Sequence, residues 1–272
     1  MDPEVRYHML RPAQIVARRQ AHPVAYIPIG TIEWHGVHNP TGADTLQAEG
    51  LAIMCAQLSG GLVFPPLYYG ESRAEALMEA NAADRRQIAA AMSLSPENFQ
   101  RYPFTPTEQA LNYHKLLIHI LAEVESLGFQ VGVLVAGHYP LIDHARAAVL
   151  QFNQREYSKR EGMLAWAVVD YLLLKDRYEY AGDHAAGWET SHVMALHPET
   201  VDLSLLPPKG EPLVGVGGRL APQDANADLG RETLEAAAEI VVREVQHRLT
   251  HPALYRGHGN SLREGLWRST ER

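Results

Sequence analysis

Residues 24–44, VAYIPIGTIEWHGVHNPTGAD, decide how the chain is read. The first six, Val24 to Ile29, are apolar, too few for a helix and closed by Gly30, which is the pattern of a buried strand. Pro28 removes one ladder donor, so an irregularity is expected near the strand's end. From Gly30 to Asp44 the chain then sets two carboxylates, Glu33 and Asp44, and two imidazoles, His35 and His38, in the turn before a helix. That helix is expected from about Thr45 to Leu58, with Asp44 as its N-cap and Ser59, Gly60 and Gly61 at its end. In an extended backbone Glu33 and His35 point to the same side. Carboxylate and imidazole together suit divalent ions such as zinc, manganese or iron(II).

Outward from this stretch, strands and helices alternate. Leu62 to Phe64 reads as a short strand stopped by Pro65 and Pro66, and Leu164 to Val169 as another. Gln130 to Ala136 is a strand followed at once by Gly137 and His138. Thr105, Pro106, Thr107 and Glu108 form a capping box that opens a helix with apolar positions Leu111, Ile118, Leu121 and Val124, closed by Gly128. Further helices are expected over about Ile142–Glu156, Trp188–Leu196 and Asp224–Leu249. The charged, alanine-rich segment from Tyr68 to Tyr102 would make one or two exposed helices and is a lid candidate. Such alternation predicts an α/β fold, a mostly parallel sheet flanked by helices on both faces, in one domain over residues 1–272. These sheets bind ligands beyond the carboxyl ends of their strands. Glu33, His35, His138, His184 and Glu189 all follow strands, so one rim should collect them.

Composition narrows the function. The 272 residues are 46% hydrophobic and 21% charged, which excludes bulk disorder. A formal charge of -8 with no basic run argues against nucleic acid as a partner. No apolar stretch reaches the roughly 20 residues of a membrane span, and MDPEVRYHML is no signal peptide. The lone cysteine, Cys55, cannot form an intramolecular disulfide and reads as a core residue. A cytoplasmic protein acting on a small-molecule substrate is expected.

Two more segments belong with the first. In AGHYP, Ala136 to Pro140, His138 sits on the rim; taken alone, it would more often be a packing residue. In GDHAAGWETS, Gly182 to Ser191, His184 precedes Glu189 across a small-residue turn, and Glu189 alone would serve equally as a first-turn helix acid.

Together the three segments resemble the creatininase (creatinine amidohydrolase) family. GTIEWHGVHNPTGAD follows its G-x-x-E-x-H-G-x-H-x-P-x-x-x-D, AGHYP follows its N-G-H in part, and HAAGWETS follows H-x-G-x-x-E-T-S. The resemblance implies a three-layer α/β sandwich, commonly assembled as a hexamer, with two divalent metal ions (zinc, manganese or iron) at the strand ends. Glu33, His35, Asp44, His138 and Glu189 would be the ligands, Asp44 bridging both ions, and His184 the acid/base histidine. Tyr139 and Trp188 would line the pocket, with Glu71 or His38 orienting polar substrate atoms. Pro140 replaces an acidic residue of creatininase itself, and Tyr102, Pro103, Phe104, Thr105 replace a Phe-Pro-Gly-Thr turn. Activity on creatinine is therefore not expected. The implied reaction is hydrolysis of a C–N bond in a small cyclic amide or formamide by activated water. The alternatives are a lyase or isomerase acting on a polyhydroxylated substrate, and a member that has lost catalysis and serves in binding.

Overall fold

Four strands, β1 (Val24–Ile29), β2 (Leu62–Val63), β3 (Val131–Ala136) and β4 (Leu164–Val169), form one parallel sheet in the order β2-β1-β3-β4. The computed structural model describes residues 4–70, 84–95, 105–155 and 161–256. Its helices are α1 (Pro12–Ala21), α2 (Ala43–Ser59), α3 (Arg85–Ala91), α4 (Pro106–Ser126), α5 (Leu141–Asn153), α6 (Asp170–Leu174), α7 (Gly187–Leu196) and α8 (Ala227–Thr250).

β1 and β3 are buried at every position and pair throughout their length, from Val24 with Val131 to Ile29 with Ala136. Continuous apolar strands are what a parallel sheet covered on both faces requires. Their side chains alternate between two cores. Val24, Tyr26, Val131, Val133 and Val135 pack with Leu51, Cys55, Trp188 and Val241, on the side of α2, α7 and α8. Ala25, Ile27, Ile29, Leu134 and Ala136 pack with Leu117, Leu121, Ala145 and Phe152 of α4 and α5. The expected three-layer architecture is present.

Pro28 costs the sheet nothing. Its carbonyl accepts from Leu67 N at 3.0 Å, and in a parallel strand the missing N–H would face the same neighbour. That neighbour, β2, has already ended at Val63.

The order of connections matters most for function. From β1 the chain passes through α2 to β2 on one side, and from β3 through α5 to β4 on the other. The adjacent β1 and β3 therefore form the switch point where such sheets open a crevice. α2 begins inside it. A Cβ added to Gly30 would lie 2.3 Å from Thr45 Oγ1, and one added to Gly137 only 1.8 Å from the Asp44 carbonyl oxygen. Both strands thus end in glycine where the first turn of α2 is wedged against them, and the wedge carries Asp44 between the two rim loops.

Three expectations need correction. Asp44 is not the N-cap of α2: Gly42 holds that place, and Asp44 lies within the first turn with its carboxylate turned to the rim. Leu111 is 53% exposed, because it shares a flank of α4 with the half-buried Ile118 while Tyr113, Leu117, Leu121 and Val124 form the buried stripe. The capping box at Thr105 and Glu108 is formed as expected. Within the lid candidate, α3 is not a free exposed helix, since Ile88 and Ala89 are buried against Trp34, with Leu94 and Val214 beside them. Residues 71–83 and 96–104 lie outside the described residues.

Candidate metal centre

Five side chains from four elements meet at the carboxyl ends of β1 and β3. Glu33 and His35 come from the loop after β1, whose course is fixed by Glu33 N donating to the Thr41 carbonyl at 2.9 Å. Asp44 comes from the first turn of α2, His138 from the turn after β3, and Glu189 from the first turn of α7. All five are buried, none more than 5% exposed. The positive ends of α2 and α7 favour the two carboxylates that their first turns carry.

The distances define two overlapping groups. His138 Nδ1 lies 2.9 Å from Glu33 Oε2 and 3.2 Å from Asp44 Oδ2. His35 Nε2 lies 3.0 Å from Asp44 Oδ1 and 3.5 Å from Glu189 Oε2. One donor atom from each of Glu33, Asp44 and His138 fits within 4.8 Å, and so does one from each of His35, Asp44 and Glu189. Asp44 belongs to both, with one oxygen turned to each.

Charge tests whether cations fit here. Three carboxylates shielded from water need positive compensation, and within the cluster imidazoles supply it. Burial alone would depress His35, but Asp44, Glu189 and Glu33 outweigh it and hold the ring up at about 10. Burial likewise opposes protonation of His138, yet Asp44 and Glu33 raise it well above its ordinary value. Asp44, which burial would raise, is held far below the carboxylate range by these two rings. Burial drives Glu189 well above its usual value, against the pull of His35 and with help from Asp44 and Asp183. A site that favours protons on two imidazoles aimed at buried carboxylates suits divalent ions, which bind the same atoms once those protons leave. The ring orientations agree. His35 Nδ1 is 3.2 Å from the Glu33 carbonyl oxygen, to which it donates, leaving Nε2 facing the carboxylates.

His184 stands at the edge of this cluster with 19% of its side chain exposed. Its Nε2 donates to the Trp34 carbonyl at 2.8 Å, which turns Nδ1 inward, 4.0 Å from Glu33 Oε2. Its ring lies 4.6 Å from that of His35, and burial together with the His35 charge lowers its basicity. His184, Glu33 and His35 also bring three donor atoms within 4.8 Å.

The other expected site residues separate. The Tyr139 hydroxyl accepts from Asp183 N at 3.2 Å, and its ring packs on Tyr171. Trp188, expected to line the pocket, is fully buried in the core beside Tyr178, Tyr180 and His192, because Asp170 draws its indole N–H inward at 2.7 Å. His38, expected to orient substrate, is 2% exposed and spends Nε2 on the Ala185 carbonyl and Thr190 Oγ1. It ties the first motif to the third rather than facing solvent. Glu71 lies outside the described residues.

Residues passed over in the sequence hold the site together. Thr190 accepts from Asn39 Nδ2 at 2.8 Å, and Ser191 Oγ accepts from Asn226 N, anchoring α8. Asp183 accepts from the backbone of Trp188 and Glu189. Thr190 and Ser191 were visible as the Thr-Ser following Glu189; Asp183 and Asp170 carry no signal beyond being acidic residues beside a turn and a strand end.

The creatininase family profile, described as creatinine amidohydrolase, matches residues 8–245. A 3-dehydro-scyllo-inosose hydrolase of Thermotoga maritima is 25% identical over 205 residues, which cover 72% of this chain and 57% of that protein, so the match spans little more than half of the relative's length. A creatinine amidohydrolase crystal structure matches 89% of this chain and 96% of its own at 20% identity, with a TM-score of 0.62. A manganese creatininase structure matches 92% of this chain and the whole of its own at 19% identity, also with a TM-score of 0.62. With the family profile covering the rim motifs and all four strands of the sheet, the chain belongs to the creatininase family.

Proposed function

We propose that the chain is a metal-dependent amidohydrolase that cleaves a C–N bond of a small cyclic amide or formamide. The observation that carries this reading is the pair of donor groups sharing Asp44: Glu33, Asp44 and His138 for one ion, His35, Asp44 and Glu189 for the other. Zinc, manganese or iron would suit these donors, and neighbours of the same fold include a zinc-zinc form and a manganese form of creatininase. When bound, a pair of divalent ions supplies Lewis acidity toward a carbonyl oxygen and acidifies water for attack.

The protein side chains have their own tasks. Asp44, fixed by the wedge of α2, holds the two donor groups in register. His184 presents Nδ1 at the edge of the cluster, where it accepts a proton during attack and returns it to the departing nitrogen. The Trp34 carbonyl, accepting from Nε2, holds that ring in the tautomer that carries its proton on Nε2. Tyr139, which directly follows His138, would line the substrate pocket. The enzyme would act in the cytoplasm as a homo-oligomer, a hexamer by family likeness; among the described residues no helix is long and apolar enough to cross a membrane.

A second reading is ring opening of a polyhydroxylated cyclic substrate, favoured by the named activity of the Thermotoga relative. One experiment separates the two. Protein purified without chelators is analysed for metal, then screened against cyclic ureas, lactams, formamides and cyclic polyol ketones in ¹⁸O-water. Cleavage of a C–N bond that forms a new amine and leaves one labelled oxygen in the carboxylate or formate product supports the first reading. Turnover of polyol ketones alone replaces it with the second.

A further inference from the structure

Glu189 reaches the cluster from the first turn of α7, and that turn is gripped by two buried carboxylates that are not among the cation donors. Asp183 Oδ2 accepts from Trp188 N at 2.6 Å, and Asp183 Oδ1 from Glu189 N at 3.1 Å. Asp170, directly after β4, accepts the Trp188 indole N–H at 2.7 Å. The cap residue of α7 is Ala186, which has no side-chain acceptor, so Asp183 satisfies amides that a Ser or Asp cap would otherwise take. Asp183 is itself boxed in. Its N–H donates to the Tyr139 hydroxyl at 3.2 Å, and a Cβ on Gly218 would come within 2.5 Å of its own Cβ.

We propose that Asp183, backed by the Trp188–Asp170 contact, is a positioning residue that sets the reach of Glu189 into the His35–Asp44–Glu189 cation position. The proposal rests on the metal-dependent reading above. The argument is one of leverage. Glu189 Oε2 is already committed to Ala185 N at 2.7 Å and faces His35 Nε2 at 3.5 Å, so a small rotation of the α7 turn removes it from the shared centre. Ligand distances tolerate about 0.2 Å, and loss of a partner behind a ligand weakens metal binding by about 10–100-fold. The other position, built from Glu33, Asp44 and His138, takes nothing from α7. Loosening the turn therefore weakens one ion and spares the other, whereas general destabilisation weakens both.

Chelator-treated full-length protein is titrated with Co(II) and followed by its visible absorption, which resolves two binding steps in the wild type. Asp183→Asn keeps the side chain's shape and one acceptor oxygen but turns an amide N–H toward the second backbone donor. The expected result is a loss of about 10–100-fold in one step, with the other within about twofold of wild type. Should Asp183→Asn not fold, Trp188→Phe, which removes the indole N–H from Asp170, is read in the same way with about a tenfold selective loss expected. Equal weakening of both steps, or none, in a folded variant overturns the positioning role. Wild-type protein that takes up no Co(II) instead overturns the metal reading beneath it, so the two failures are distinct.

Discussion

Gly137→Ala is the sharpest test of how the site is assembled. The added methyl would sit 1.8 Å from the Asp44 carbonyl oxygen and 2.5 Å from its carbonyl carbon, where ordinary contacts begin at 3.4 Å. The opposing atoms are backbone, so either the end of β3 or the first turn of α2 must retreat by more than 1 Å. Overpacking of this kind costs about 1–3 kcal/mol, which for a chain of this size lowers Tm by roughly 2–12 °C. The retreat falls between His138 and Asp44, whose side chains now stand 3.2 Å apart. Misplacement by about 1 Å lowers turnover on the order of 100-fold, and metal retention should fall with it. Gly132→Ala is the control: same strand, same methyl, but its nearest contact, at 2.9 Å, is the flexible end of Met163. Calorimetry, elemental analysis and turnover are compared across the three proteins. Wild-type metal content and activity in Gly137→Ala would show that α2 is not wedged at the switch point, and the account of the glycine would fail.

Other outcomes follow from the same geometry. Because, against burial, Asp44, Glu189 and Glu33 raise His35 to about 10 and the carboxylates around His138 raise it well above its ordinary value, uptake of ions near pH 7 should release about two protons per chain; calorimetry in buffers of different ionisation enthalpy measures this, and a release near zero contradicts the charge argument. His184→Ala should keep its metal and lose about 10²–10⁴-fold in kcat, whereas loss of an ion on elemental analysis would make His184 a ligand instead. Asp44→Ala should empty both cation positions, and retention of even one ion at wild-type affinity argues against the shared carboxylate. His38 is held near 4, mainly by burial, below its ordinary 6.5. The unfolded chain therefore binds the proton more readily, and His38 favours the fold above pH 6.5 but withdraws up to about 3 kcal/mol as pH falls toward 4. In chelator-treated protein, His38→Gln should flatten that acid limb of urea-measured stability; an unchanged slope would mean that His38 titrates normally.

The sheet was legible because β1, β3 and β4 are short apolar runs closed by glycine or a polar residue, a pattern that parallel strands sandwiched by helices impose on sequence. The proposed donors were legible less directly: Glu33, His35 and Asp44 share one turn after β1, whereas His138 and Glu189 taken alone read as a packing residue and a helix acid and joined the set only through the family resemblance. What stayed hidden depends on contacts distant in sequence. Asp44 looked like a cap because Asp before a helix usually is one, and only the position of Gly137, 93 residues later, shows why it is turned inward instead. Trp188 looked like a pocket wall because it neighbours Glu189, yet successive helical positions diverge by about 100°, and Asp170 draws it to the opposite side. His38 shares the first motif with His35, but its partner Thr190 lies 152 residues away.

Pro140 gains a physical meaning from the same rim. It has helical angles, φ -58° and ψ -27°, and the carbonyls of His138, Tyr139 and Pro140 accept from Leu141, Ile142 and Asp143 as α5 begins. The chain turns into the helix immediately after His138, at the place where creatininase carries an acid, and no donor atom can project from that position. Among the described residues, each proposed cation position would be left with three protein donors, two of them its own and Asp44 shared. Structural metal sites close their coordination with protein atoms, while catalytic ones keep a place for water or substrate. His184, the most exposed group of the cluster, stands on the open side with its inward nitrogen unprotonated. Pro140 thus fits an altered substrate choice in the proposed enzyme better than a chain that has abandoned catalysis.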